Sequence, residues 1–279
     1  MIQIQGLSKE YGKRQKALDS ISQNLDNGII SIIGKNGAGK TTLLRILSTQ
    51  LKATSGDALI DGLSITKDTR QIRERIVSIP QEAAPIGILT AYEQVFMYLT
   101  GKGFSFHSAR HESIRALKSV GLSDKMHVPT DELSGGMKRK MFVAMALGSN
   151  ADTVFLDEPT TGLDPLSRME TWSAIKELTG NVVLTTHYME EATELSEKIY
   201  MMDSGSFIGS GTADQLLHDL KDKVRVESRD PMPNSYHVGN MYIKYVNRGD
   251  LSKYENVYYS LKKISIEDLF IIRGVDLES

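Results

Sequence analysis

The sequence predicts an α/β fold: a mostly parallel sheet flanked by helices, a helical insert, and a small β-rich C-terminal appendage. Three observations carry this reading. Short apolar runs rich in β-branched residues recur along the chain, as strands buried on both faces do. A glycine-rich loop stands between one such run and a helical pattern. Between Gln81 and Glu132 the spacing of apolar residues turns helical.

The elements follow in order. Met1 to Gly6 alternates like a strand, and Ile29-Ile30-Ser31-Ile32-Ile33 reads as a buried one. The glycine loop comes next, then a helix carrying Thr42, Leu43, Leu44, Ile46 and Leu47. Ile76 to Pro80 is a further strand. Thr90 and Glu93 form a capping box ahead of Val95, Phe96, Tyr98 and Leu99, and Ile114, Leu117 and Val120 follow at helical spacing. Met137 to Leu147 reads as a helix, Thr153 to Leu156 and Val182 to Thr186 as buried strands. Ser204-Gly205 marks a hairpin turn, and Thr212 caps a helix expected to reach about Lys221. Past Val224 the composition shifts: six of the 11 tyrosines fall between Tyr236 and Tyr259, in runs such as Met241 to Val246. So many aromatic and β-branched residues argue for packing rather than a solvated tail. Ser265-Ile266-Glu267-Asp268 opens a short last helix. The expected division is 1–223, with the helical insert at about 82–150, and 224–279.

With 279 residues and 40% apolar content the chain can hold a domain of about 200 residues and a small one. Its 33 basic and 35 acidic side chains leave the net charge near zero, which speaks against a nucleic-acid partner. The absence of cysteine excludes disulfides, thiolate metal sites and cysteine nucleophiles. No apolar run approaches the roughly 18 residues that span a bilayer, and the N-terminus lacks the blocks of a signal peptide. A soluble protein is expected, any membrane role coming through a partner.

Gly34-Lys35-Asn36-Gly37-Ala38-Gly39-Lys40-Thr41-Thr42 is a phosphate-binding loop in its proper setting, after a strand and into a helix. Its glycines let backbone N–H groups face the β- and γ-phosphates, Lys40 adds a positive charge, and the Thr41 hydroxyl suits Mg²⁺. Some ninety residues later, Leu133-Ser134-Gly135-Gly136 brings bare backbone N–H groups and a helix N-terminus to a second anion-binding end. One chain cannot readily close both ends on one nucleotide, so two copies would sandwich it. Asp157 and Glu158 end a strand, at the sheet edge where such folds bind ligands. Gln81 and His187 also stand at strand ends.

This order of motifs resembles the ATP-binding-cassette (ABC) ATPases over roughly the first 220 residues, which implies a P-loop NTPase core with ATP and Mg²⁺ as ligands. By that resemblance Asp157 helps organise magnesium, Glu158 is the general base toward the attacking water, and Gln81 reaches both the metal and that water. His187 matches the switch histidine at the γ-phosphate, Tyr11 the adenine-stacking aromatic, and Pro159 to Asp164 the D-loop, with Asp164 among the nucleotide-binding residues. Ser134, Gly135 and Gly136 match the signature motif that meets the nucleotide of the other protomer. Met137 departs from the commoner glutamine at its position. Leu-Ser-Gly-Gly-Met followed by Lys138-Arg139-Lys140, with Ile264 to Phe270 near the end, resembles the drug- and peptide-exporting, ABC-2-type branch.

The resemblance implies an ATP-hydrolysing exporter subunit, exporting a peptide, antibiotic or lipid-like compound. It would act as a homodimer or paired with another ATPase subunit, bound to a separate transmembrane permease on the inner face of the cell membrane. An ABC ATPase acting on a macromolecular assembly without a permease is the alternative. Against it stand the single nucleotide site, the missing coiled coil, the lack of cysteine and the near-neutral charge. The intact Asp157, Glu158 and His187 speak against a binding module that does not hydrolyse ATP.

Overall fold

The computed structural model describes residues 1–12, 15–254 and 259–274. Tyr258, one of the tyrosines counted above, and the residues from 275 lie outside the described residues. The chain divides into two compact units, Met1–Ile208 and Gly209–Ser279. The expected division at 223/224 followed the change in composition. The observed one comes earlier, because the turn of helix after Thr212 folds with the C-terminal sheet.

The first unit opens with β1 (Ile2–Tyr11), β2 (Gln15–Leu25), β3 (Ile29–Ile33) and α1 (Lys40–Leu47). Next come β4 (Ser55–Ile60), β5 (Leu63–Ser64), α2 (Thr69–Arg75) and β6 (Ile76–Ile79). The helical insert holds α3 (Ala91–Gly101), α4 (Phe106–Ser119) and α5 (Gly135–Ser149). It returns to β7 (Thr153–Asp157), α6 (Pro165–Lys176), β8 (Asn181–Thr186), α7 (Met189–Leu195), β9 (Lys198–Asp203) and β10 (Ser206–Gly211). The β9–β10 turn carries Ser204 and Gly205 at φ 46° and 77°, as a tight hairpin with two left-handed central residues requires.

Two sheets result. One is a four-stranded sheet in the order β2-β1-β4-β5, with antiparallel pairs throughout. Of it only the start of β1 was legible in the sequence. The other runs β10-β9-β3-β8-β7-β6, and its strands from β9 to β6 pair parallel. Its residues alternate between two cores: Ile30, Ile32, Phe155 and Val183 face one with β1, β4 and α1, whereas Val154, Leu156, Val182 and Leu184 face the other with α3, α4 and α5. That two-sided burial is why these strands read as continuous apolar runs. The register matters most. Ile33 lies beside Thr186, Asp157 beside Thr185, and Ile79 beside Leu156, so four chain segments leave the sheet at one edge.

The insert's helices are capped as their sequences require. Thr90 and Glu93 form the reciprocal capping box of α3, and the Ser105 and Ser134 hydroxyls accept N–H bonds at the starts of α4 and α5. Helix α5 begins at Gly135, two residues ahead of the expected start, since Ser134 is the cap. Asn150, at φ 48°, ends it in the left-handed conformation that asparagine tolerates.

The second unit contains α8 (Ala213–Leu216), β11 (Lys223–Ser228), β12 (Tyr236–Val238), β13 (Met241–Asn247), β14 (Ser260–Lys262) and α9 (Glu267–Ile272). The strands form an antiparallel sheet in the order β12-β13-β11-β14 over Val226, Met232 and Val246. The helix expected to run from Thr212 to about Lys221 is instead a capped single turn followed by a separate 3-10 turn, His218–Leu220. At α9 only half of the expected capping pattern forms: the Asp268 carboxylate accepts the Ser265 N–H at 2.7 Å. The other Asp268 oxygen is taken by Arg225 at 3.0 Å and by the Tyr245 hydroxyl at 2.8 Å.

Candidate active site

The loop between β3 and α1 wraps a cleft of about 790 Å³. Tyr11, Asn36, Gly37, Gly39, Lys40, Thr41 and Thr42, named from the sequence as nucleotide-binding, and Gln81, Glu158 and His187, named as catalytic, all line it. Lys16, Ala17, Thr161 and Ser204 line it too and were not foreseen. Lys16 and Ala17 reach the cleft through strand pairing, Ser204 through the hairpin turn, and Thr161 through the loop after Glu158. Ala38 is buried beneath the loop, and its N–H closes the turn onto the Lys35 carbonyl at 3.2 Å. Gly39 has φ 101°, and a Cβ there would stand 2.5 Å from the Ala17 carbonyl, so only glycine fits.

Lys40 is buried and donates to the carbonyls of Gly34 at 2.7 Å and Lys35 at 3.0 Å, with Glu158 Oε1 at 4.0 Å. Burial pushes its pKa down, and the Glu158 and Asp157 carboxylates oppose that shift. An ammonium so placed is desolvated in advance for an anion, which strengthens its attraction to a phosphate oxygen.

Asp157 is 2% exposed. Its Oδ1 accepts from Thr41 at 3.0 Å and Thr185 at 2.6 Å, while Oδ2 is buried without a partner. A buried, unpaired carboxylate oxygen is costly, at about 1–3 kcal/mol or more. Beside the Thr41 hydroxyl it is suited to a hard cation or its water shell. Among the described residues no group of three carboxylate, histidine or cysteine ligands forms a dedicated metal cage. That agrees with Mg²⁺, which takes one or two protein oxygens and draws its others from water and phosphates.

Glu158 follows at φ 46°, a conformation that costs a glutamate about 1 kcal/mol or more. Its N–H is fixed by both the carbonyl and the hydroxyl of Thr185, each at 3.1 Å, which holds the backbone there. Its Oε2 receives three donors: Thr161 Oγ1 at 2.8 Å, His187 Nδ1 at 3.1 Å and Gln81 Nε2 at 3.3 Å. Facing a carboxylate, Nδ1 carries a proton and donates to it. Gln81 is itself anchored, its carbonyl accepting from Arg139 of α5 at 2.5 Å.

Ala38 and Asp157 are not among the residues lining the cleft, and four more predicted residues, Ser134, Gly135, Gly136 and Asp164, stand outside it. Ser134 caps α5 and accepts the Met137 N–H at 3.2 Å; it and Gly135 are exposed. A Cβ on Gly135 would meet nothing within 4 Å, whereas one on Gly136 would lie 2.6 Å from the Ser167 hydroxyl. Gly136 thus has a packing reason within the chain and Gly135 has none. Asp164 caps α6, accepting the N–H groups of Leu166 and Ser167 at 3.1 Å. Tyr11, at the end of β1, is 43% exposed and offers its ring to the cleft mouth.

A phosphate loop opening into a helix, a histidine after the neighbouring strand and two carboxylates at the end of the next define a nucleoside triphosphatase of the P-loop class. The ABC transporter family model matches residues 18–161. The daunorubicin resistance ATP-binding protein DrrA3 of Streptomyces coeruleorubidus is 36% identical over 219 residues, covering 77% of this chain and 69% of that protein. The linearmycin resistance ATP-binding protein LnrL of Bacillus subtilis is 34% identical over 224 residues, covering 79% and 72%. Among solved structures, a dimeric ATP-binding cassette in a post-hydrolysis state bound to ADP and Pi superposes with a TM-score of 0.69. It is 27% identical and covers 76% of this chain and 98% of its own. The chain belongs to the ABC transporter family, as an ATP-binding subunit of the drug-resistance exporter type and an ATPase. No helix among the described residues is long and apolar enough to cross a membrane.

Proposed function

We propose that this chain hydrolyses ATP between two protomers to drive a separate transmembrane permease, and that Glu158 and His187 do the chemistry. The observation that carries the reading is the convergence of Gln81, Thr161 and His187 on one Glu158 oxygen at the mouth of the phosphate loop. Lys40 and the loop N–H groups hold the β- and γ-phosphates, and Tyr11 offers a face to the base. Thr41, Gln81 and Asp157 would hold Mg²⁺, which supplies neutralisation of charge on the β- and γ-oxygens. The Glu158 carboxylate aligns the attacking water and accepts its proton as the water oxygen bonds to the γ-phosphorus and the bond to the β-bridging oxygen breaks. The His187 ring donates toward the γ-phosphate as charge builds there.

Ser134, Gly135 and Gly136 serve the second protomer's ATP, since they are not among the residues lining this chain's own cleft and Ser134 and Gly135 are exposed. The permease contact falls on the helical insert. Ile86, Ile88, Met97 and Phe106 are 56%, 83%, 53% and 77% exposed there, more apolar surface than a solvated insert needs. The relatives named for daunorubicin and linearmycin resistance support an antibiotic-like cargo. A subunit bound to a permease by this insert sits on the inner face of the cell membrane.

Glu158→Gln tests the core of this reading. The variant should bind ATP with Mg²⁺ as the wild type does, lose hydrolysis, and elute as an ATP-dependent dimer on size exclusion. A variant that hydrolyses ATP normally would remove Glu158 from the mechanism, and one that stays monomeric at saturating ATP would count against the sandwich.

A further inference from the structure

Glu191, on α7, is fully buried in the first unit and is not among the cleft residues. Its Oε1 accepts hydrogen bonds from Thr160 Oγ1 at 2.6 Å and from Trp172 Nε1 at 3.0 Å. Its Oε2 is buried with no partner. Desolvation pushes its pKa up, against the hydrogen bonds that favour the charged form. A leucine would fill a similar volume without that penalty, so the carboxylate contributes something other than packing.

The donors' places in the chain say what. Thr160 lies two residues beyond Glu158, in the loop whose next residue, Thr161, bonds the Glu158 carboxylate. Glu191 itself stands on α7, the helix that follows His187, and Thr186, directly before His187, accepts the Tyr188 N–H at 2.9 Å. Trp172 sits on α6, together with Arg168, whose guanidinium lies 4.5 Å from the Tyr188 ring centre and faces Glu191 electrostatically. The Tyr188 ring in turn packs on His187, with centroids 4.1 Å apart. The buried Glu191 carboxylate therefore joins the segment after Glu158, through Thr160, to α7, the helix that follows His187.

We infer that Glu191 is a positioning residue for hydrolysis: its carboxylate ties the Thr160 loop to α7, the helix that follows His187, and thereby sets the 3.1 Å approach of His187 to Glu158. The inference rests on the roles proposed above for Glu158 and His187. Glu191 touches no substrate. Displacements well under 1 Å at such a contact are enough to slow a reaction, since a misplacement of about 1 Å can cost about 100-fold.

The experiment measures steady-state ATP hydrolysis and ATP affinity on the full chain for Glu191→Ala, Glu191→Gln and Thr160→Val, each alone and combined with His187→Ala. Glu191→Ala and Thr160→Val should lower kcat by about 10-fold or more while KM for ATP stays within about threefold. Glu191→Gln should keep most of the activity, because its amide oxygen accepts the same bonds. In the His187→Ala background the second substitution should cost less than about twofold, since a residue that acts through His187 has nothing left to position. Thr160→Val removes a single donor, so it carries the test if Glu191→Ala fails to melt cooperatively. Wild-type kcat in Thr160→Val and any folded Glu191→Ala, or equal losses with and without His187, would overturn the inference. Glu158→Gln and His187→Ala serve as controls: if they hydrolyse at the wild-type rate, the reading of the site fails and this inference with it. If they are inactive while Glu191→Ala and Thr160→Val turn over normally, only the positioning role fails.

Discussion

Two adjacent glycines at the start of α5 offer a clean separation of folding from assembly. Gly136→Ala would place its Cβ 2.6 Å from the Ser167 hydroxyl and 2.7 Å from the Ser167 Cβ, closer than real Cβ contacts come. Ser167 lies on α6, so the clash must be relieved by moving α5 and α6 apart. Overpacking of this kind costs about 1–3 kcal/mol. For a domain of this size that lowers Tm by roughly 2–4 °C per kcal/mol, a total of about 2–12 °C. Gly135→Ala meets nothing within 4 Å and stands in the first turn of a helix, where alanine is favoured by up to about 1 kcal/mol. Its Tm should hold or rise slightly. The two variants should exchange rank in a second assay. In a Glu158→Gln background with ATP and Mg²⁺, Gly135→Ala should weaken the dimer by about 10-fold or more on analytical ultracentrifugation, because its methyl would stand where the partner's phosphate approaches the backbone. Were Gly135→Ala to form the ATP dimer at undiminished affinity, the exposed glycine would have no role at a second nucleotide and the sandwich argument would lose its basis.

Two further outcomes follow from the same geometry. Lys40→Ala should lose ATP binding in a titration with a fluorescent analogue, whereas His187→Ala should bind nearly normally and lose turnover by about 100-fold or more; equal loss of affinity in both would overturn this division of labour. Ile86→Asp or Phe106→Asp should leave the isolated subunit's hydrolysis intact and abolish co-purification with the permease, and unchanged co-purification would move the docking site elsewhere.

What could be read from the sequence was set by how local each cause is. The strands β3, β7 and β8 were legible because burial on both faces writes an unbroken apolar run, and α3 because Thr90 and Glu93 cap it reciprocally. The phosphate loop, Gln81, Glu158 and His187 were legible because each is fixed by a strand end, and strand ends are visible in the pattern. The antiparallel sheet was mostly not. β1 pairs with β2 through three register shifts and with β4 through another, and such irregular ladders blur the alternation that marks a strand. Lys16 and Ala17 reach the cleft only through that pairing, so their place was hidden with it. Glu191 was invisible for a different reason. Within the acidic run Glu190-Glu191 it looks like a solvated helix start, and only the packing of α6 against α7 shows that one of the two is buried.

The site also depends on a backbone feature that no side-chain pattern announces. Asp157 and Glu158 are neighbours, and in a continuing strand their side chains would point to opposite faces of the sheet. One would then reach the loop and the other the core. At φ 46° the chain instead turns sharply at Glu158, and the Thr185 carbonyl and hydroxyl both hold its N–H in that turn. Asp157 keeps the strand's direction and meets Thr41, with one oxygen left unpaired. Glu158 is swung toward the segments that end β6 and β8, where Gln81 and His187 converge on it. Two carboxylates that the sequence sets side by side are thereby given different surroundings, one suited to a cation and the other to a water molecule. Thr185 serves both, since its hydroxyl donates to Asp157 at 2.6 Å while accepting from the Glu158 N–H at 3.1 Å. The strand β8 thus does more than carry His187: it holds in place the turn that makes the two acids unequal.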